Sequence, residues 1–314
     1  MDPIQNQGLR LSLGAFRTSP TASLHVEAGI PPLSIRRKKL SLQYAVRVLA
    51  NEKNPTHKAI FEKDHSVFEG VSITVSPLTA RVSAMVEEAG ITNDMVMKVG
   101  PSKSPPWTLG APTVLFDLAA GKKEETSCAT YMKKLKEVQD KHKNFAEVYT
   151  DGSKDAVKGN HCYAERLADE ASIYTAEIHA LYLAQDHVET SISDKHLICS
   201  DSKSSLTAME TKKWKHPLVR KLLVRHHQLT EQGKEIVYIW VPGHTGIRGN
   251  DLADTAAKKA TDLQPSRDAE IPSSDLKPKV NGYIHRKWQT EWDSKIGNKL
   301  HSIQPSIGII QRCR

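Results

Sequence analysis

Apolar positions recur along this chain in two rhythms, and the change falls near residue 144. Before it the spacing is helical. Leu9, Leu13 and Phe16 predict a helix over residues 8–20, stopped by Thr18-Ser19-Pro20. Leu42, Val46 and Leu49 share one face of a second helix, Leu33–Ala50, ended by the breaker Asn51-Glu52-Lys53-Asn54-Pro55. Residues 51–142 show weaker order, and Pro101-Ser102-Lys103-Ser104-Pro105-Pro106 reads as a linker. After residue 144, short apolar runs alternate with amphipathic ones. Phe145–Thr150, His196–Ser200 and Ile236–Val241 read as strands, and Gly159–Leu167 as a more polar one; Asp151-Gly152-Ser153 reads as a turn. Helices are expected at Thr175–Val188, with Ile178, Leu181 and Ala184 facing a core, at His216–Gln232 and at Asn250–Ala260. Ser202 is placed to cap a short helix, and Pro242–Gly249 is a Gly-rich loop. Strands alternating with helices predict an α/β layer fold. In the tail, 263–314, Trp288 and Trp292 stand at i,i+4 and read as a small core rather than a base-stacking platform. There is no internal repeat.

Charge adds a partner class. The 314 residues hold 44 Lys and Arg against 36 Asp and Glu, a formal +8. That sign suits a polyanion, through counterion release, although many basic proteins bind no nucleic acid. The run Arg36-Arg37-Lys38-Lys39 could serve as a nuclear address or a phosphate contact; its plainer reading is the solvated face of a helix. Met1–Gln7 lacks the charged-then-apolar pattern of a secretory signal, and no apolar stretch approaches a membrane span. Cys128, Cys162, Cys199 and Cys313 are far apart, so neither structural zinc nor a disulfide framework is expected. The expectation is a reduced, intracellular protein with no membrane contact and no small-molecule cofactor.

Four acids are placed for chemistry. Asp151 ends the first strand, Glu177 lies early in the helix at 175, Asp201 ends the strand at 196, and Asp254 lies one turn into the helix at 250. Strand ends and helix starts at one sheet edge are where such folds build sites. Converging carboxylates raise one another's pKa, and hard divalent cations relieve the repulsion. Taken singly, each is more simply one surface acid among 36.

The residues around them sharpen the reading. Tyr149-Thr150-Asp151-Gly152-Ser153, Tyr174-Thr175-Ala176-Glu177 and Ser200-Asp201-Ser202 resemble three signature segments of the type 1 RNase H family. The run from Trp240 to Asp254, with Gly243-His244-Thr245-Gly246 inside it, resembles the fourth, and all four occur in family order. The resemblance implies a mixed five-stranded sheet flanked by helices, and endonucleolytic hydrolysis of the RNA strand of RNA–DNA hybrids. It implies a two-metal-ion mechanism with Mg²⁺, or Mn²⁺ as substitute, leaving 3′-hydroxyl and 5′-phosphate ends. Asp151, Glu177, Asp201 and Asp254 become the metal-binding acids, and His244 assists the attacking water or product departure. A lone loop histidine among 14 would otherwise be an ordinary polar residue on the surface. Asp251, three residues before Asp254, is explained without metal as a first-turn charge favoured by the helix dipole.

The flanks resemble a larger setting. Leu13–Pro20 with Val26–Leu33 is similar to the region after the reverse transcriptase palm of non-LTR retrotransposon polyproteins. The tail around Trp288–Trp292 is similar to the segment downstream of the nuclease in those polyproteins. The expected division is a helical segment at 1–100, a linker at 101–142, the RNase H-type domain at 143–262 and a tail at 263–314. One departure stands out. The family places a two-stranded hairpin before the Glu-bearing helix, and residues 152–174 show one strand-like run, leaving room for a shortened hairpin. A missing strand would weaken the support of Asp151, which motivates the alternative of a catalytically weak nucleic-acid-binding remnant.

Overall fold

The computed structural model describes residues 2–64, 76–100, 105–119, 126–151, 155–158, 161–260, 263–264 and 271–308. The chain forms two compact units, Met1–Lys98 with Leu276–Arg314, and Val99–Asp275.

The first unit is helical: α1 (Asp2–Leu13), α2 (Thr21–Glu27), α3 (Leu33–Leu49), α4 (Pro55–Phe61) and α5 (Leu78–Glu88). The helix expected over 8–20 starts earlier and stops at Leu13. Gly14, at φ +63°, takes the left-handed conformation that ends helices, and Ala15 N–H donates back to Arg10 O at 2.9 Å. Phe16 therefore lies beyond the helix and is 82% exposed. α3 buries Leu42, Val46 and Leu49 as expected, with Ile35, Ala45 and Val48 beside them.

In the second unit come β1 (Thr113–Leu115), α6 (Cys128–Lys141), β2 (Ala146–Asp151), β3 (Asp155–Lys158), β4 (His161–Ala164) and α7 (Ile173–Thr190). They are followed by β5 (Lys195–Ser200), α8 (Lys203–Glu210), α9 (Pro217–Glu231), β6 (Glu235–Trp240) and α10 (Arg248–Ala260). One mixed six-stranded sheet runs in the order β1-β6-β5-β2-β3-β4. β1, β6, β5 and β2 are mutually parallel; β2-β3-β4 are antiparallel. The central strands β5 and β6 are buried almost throughout because parallel strands are covered on both faces. On one face Leu197, Cys199, Val237 and Ile239 pack with Tyr131, Leu135 and Val138 of α6. On the other, Tyr238 of β6 bonds Gln185 of α7 and His226 of α9. This is an RNase H-like α/β fold.

Three features differ from expectation. The stretch 101–142, read as a linker, supplies β1 and α6; residues 101–104 of its Pro-rich run lie outside the described residues. β1 adds a sixth strand at the β6 edge. The hairpin is present as β3 and β4, four residues each, so it is short but has both strands. Asp-Ala-Val-Lys carries too little apolar character to show as a strand by pattern. The Asp151-Gly152-Ser153 turn lies beyond Asp151 outside the described residues, while Asp151 itself is still paired within β2.

The tail completes the first unit through α11 (Lys277–Asp293) and α12 (Lys299–Ile303). Trp288 and Trp292 are each 2% exposed, a core as expected, and the Trp292 indole donates to Gln304 O at 3.0 Å. Aromatic truncation in a core costs roughly 3–5 kcal/mol, so this pair anchors α11. Among the described residues no helix is long and apolar enough to cross a membrane.

Candidate active site

Parallel pairing of β2 with β5 decides where two acids go. Thr150 is opposite Ser200, so Asp151 and Asp201, one residue on, leave the same sheet edge side by side. Thr150 Oγ1 donates to Cys199 O at 3.3 Å and ties the two strand ends together. The third acid comes from α7. Ser172 caps that helix by accepting from Thr175 N–H at 3.1 Å, and its own N–H donates to the buried Asp275 at 2.8 Å. This fixes the first turns of α7 and delivers Glu177. Ligand-competent oxygens of Asp151, Glu177 and Asp201 all lie within 4.8 Å of one another. Asp151 is buried; the other two are half-buried.

Asp254 stands beside this triad rather than in it. Its Oδ2 accepts from Lys258 Nζ at 2.6 Å and lies 3.8 Å from Nδ1 of His244. The Lys258 ammonium is held above its ordinary pKa, chiefly by its hydrogen bond to Asp254, with the Asp151 charge adding to it. Asp254 and Asp151 thus act on one cation. α10 starts at Arg248, two residues before the expected Asn250, and buries Ala253, Ala256 and Ala257. Ala253 and Ala256 pack on Tyr149, and the Cα of Gly249 lies so near the Tyr149 ring that a Cβ would strike it.

The β6–α10 loop brings His244. Thr245 Oγ1 donates to Pro242 O at 2.8 Å, His244 takes φ +57° and Gly246 +78°. Histidine is among the residues that tolerate that left-handed region. The turn leaves the His244 side chain 71% exposed, aimed where Asp254 sits. Trp240 Nε1 donates to Asp201 O at 3.0 Å, and a Cβ on Gly243 would stand 2.5 Å from Asp201 Oδ2. The loop therefore packs directly on an acid of the triad.

Sequence reasoning missed Lys258, Gly243 and Trp240. The i,i+4 spacing of Asp254 and Lys258 was available as a signal. Gly243 had only its place in Pro-Gly-His. Ser202 stands at the N-cap of α8, yet its hydroxyl donates to Ser205 Oγ at 2.8 Å instead of capping the backbone.

A family model described as RNase H matches residues 142–262. The match supports an RNase H domain there. All five candidate residues, the triad with Asp254 and His244, fall inside it. No curated protein matches the chain, and no solved structure does. The match supports a nuclease or hydrolase and implies nucleic-acid binding, and the carboxylate cluster inside it has the oxygen donors a divalent metal takes.

Proposed function

We propose that the RNase H domain hydrolyses the RNA strand of RNA–DNA hybrids endonucleolytically, leaving 3′-hydroxyl and 5′-phosphate ends. The carrying observation is the convergence of Asp151, Glu177 and Asp201 to within 4.8 Å inside the matched segment. Three carboxylates so close repel one another, and hard oxygen donors without thiolate or imidazole fit Mg²⁺, or Mn²⁺ in its place. Asp151, Glu177, Asp201 and Asp254 would hold two such ions. Bound there, the ions would supply charge stabilisation at the scissile phosphate and a more acidic water.

The chain's own residues do the rest. The Trp240 indole fixes the Asp201 main chain, and Gly243 leaves room for its carboxylate. His244, exposed on a constrained turn with the Asp254 carboxylate 3.8 Å from its Nδ1, moves protons between solvent and the reacting oxygens. Lys258 serves as counter-ion to Asp254 until another cation takes that role. Preference for a hybrid requires reading 2′-hydroxyls on one strand only. The resemblance of Leu13–Pro20, Val26–Leu33 and Trp288–Trp292 supports a further reading, that the chain belongs to a non-LTR retrotransposon polyprotein or a gene derived from one. An intracellular setting goes with it, and the free thiols of Cys128 and Cys199 agree.

The test uses the whole chain on end-labelled hybrid. Cleavage in Mg²⁺ that stops with chelator, and is lost in Asp151→Asn, is expected. Cleavage persisting in excess chelator sinks the metal mechanism. No cleavage with any divalent ion sinks the nuclease reading.

A further inference from the structure

Net charge is divided unevenly between the two units. The first carries 20 Lys and Arg against 11 Asp and Glu, a net +9; the second carries 24 against 25, a net −1. The whole basic surplus therefore lies outside the unit that holds the RNase H domain. Part of it lines a groove of about 710 Å³ between α3, α5 and α11. Each helix turns one face to it. On α3 these are Ser34, Arg37, Lys38 and Ser41; α5 adds Arg81 and Glu88, and α11 adds Tyr283 and Lys287. Leu40 and Leu78, each more than half exposed, and Met85 give the groove an apolar surface between its cations.

These cations are available to a ligand. Arg37 reaches Asp2 at 3.8 Å and Lys38 reaches Glu291 at 3.4 Å, both pairs solvent-exposed. Exposed pairs of this kind contribute about 0–1 kcal/mol, so a phosphate can displace the carboxylate. Arg81 is exposed, and no carboxylate among the described residues forms an ion pair with it. The one acid in the groove, Glu88, is engaged by Lys287 Nζ at 2.5 Å and by the Tyr283 hydroxyl at 2.8 Å, contacts that hold its carboxyl below the usual range.

We propose that this groove binds a single nucleic-acid strand, its phosphates on Arg37, Lys38 and Arg81 and its sugar and base faces over Leu40, Leu78 and Met85. A cationic track beside apolar surface is the chemistry of sequence-tolerant strand binding. The choice of nucleic acid over another polyanion rests on the nuclease reading of residues 142–262. An acidic amphipathic helix is the competing occupant.

The experiment measures fluorescence anisotropy of a labelled single-stranded 12-mer of deoxythymidine with the full chain, in chelator, across a salt series. Arg37→Gln with Arg81→Gln should weaken binding at least tenfold at low salt. It should also reduce the log–log salt slope by about 1.4, at about 0.7 per lost single-strand phosphate contact. Arg37→Lys with Arg81→Lys should bind within about twofold of the parent, which separates charge from misfolding. If the parent chain binds the strand through these arginines but cleaves no hybrid with any divalent ion, the groove stands and only the nuclease reading fails. Unchanged affinity in the glutamine double variant overturns the proposal. So does a glutamate-rich peptide that binds at these arginines and is not displaced by the oligonucleotide.

Discussion

The two units divide chemistry from charge. The second unit brings three carboxylates together and sets a fourth beside them, yet its net charge is −1. The first has no acidic cluster among its described residues and carries +9. A site that gathers negative charge repels a polyanion until cations bind, so affinity supplied elsewhere on the chain would leave the site free to be acidic. Composition of the whole chain, +8, hides this: an average over two units of opposite character reads as one mildly basic protein.

The largest effect that tests this division is at Asp254. Asp254→Asn should reduce hybrid cleavage by orders of magnitude, because charge stabilisation at a metal site is worth several kcal/mol. Strand binding and melting temperature should stay near the parent's. Asp251→Asn, on the first turn of α10, should cost little. The reverse order of activities would show that Asp251 is the ligand and that the reading of α10 is wrong. A parallel loss of strand binding in Asp254→Asn would collapse the separation of cutting from grip.

Gly243→Ala comes next. The new Cβ would stand 2.5 Å from Asp201 Oδ2, so the loop or the carboxylate must move. Misplacing a catalytic group by about 1 Å can cost on the order of 100-fold. The expected result is a loss of that size in kcat with a higher metal concentration needed for half-activity, read from a Mg²⁺ titration. Parent-like activity would mean the loop is free to yield and does not position Asp201.

How much of this was legible depended on how local each signal was. The cores of β5 and β6, residues 197–199 and 236–240, are apolar because parallel strands are covered on both faces, and that shows in any short window. Asp151, Glu177 and Asp201 could be read from their places at strand ends and an early helical turn. β1 has three residues and no period, so nothing marks it until β6 is there to pair with. α6 was missed although Tyr131, Leu135 and Val138 are spaced on one helical face. Trp288 and Trp292 showed that α11 is buried, but its partner α3 lies some 240 positions earlier, as the Lys38–Glu291 pair records at a separation of 253. Lys258 was overlooked for a different reason: reading acids for metal leaves out the cations that already answer them.

The smallest effect at neutral pH lies in the polar network behind the sheet. Gln185 Nε2 donates to the Tyr238 hydroxyl at 2.8 Å, and that hydroxyl meets His226 Nδ1 at 3.2 Å, all three side chains buried. Burial, with a smaller contribution from His227, pulls the His226 pKa from 6.5 down to about 4. The folded state therefore keeps His226 neutral where the unfolded chain protonates it. Stability is complete above pH 6.5 and falls as pH drops towards 4, by about 3 kcal/mol at most. His196 and His216, also in the second unit and also depressed by burial, act in the same direction, whereas the first unit has only His25 so depressed among its described residues. Melting measured between pH 7.5 and 4.5 should thus show the nuclease unit losing stability faster than the helical one. His226→Asn, which keeps an acceptor or donor for Tyr238 but cannot titrate, should flatten the dependence of the nuclease transition while lowering its melting point at pH 7.5. An unaltered pH dependence in that variant would show that protonation of His226 is not what couples the nuclease unit to acid.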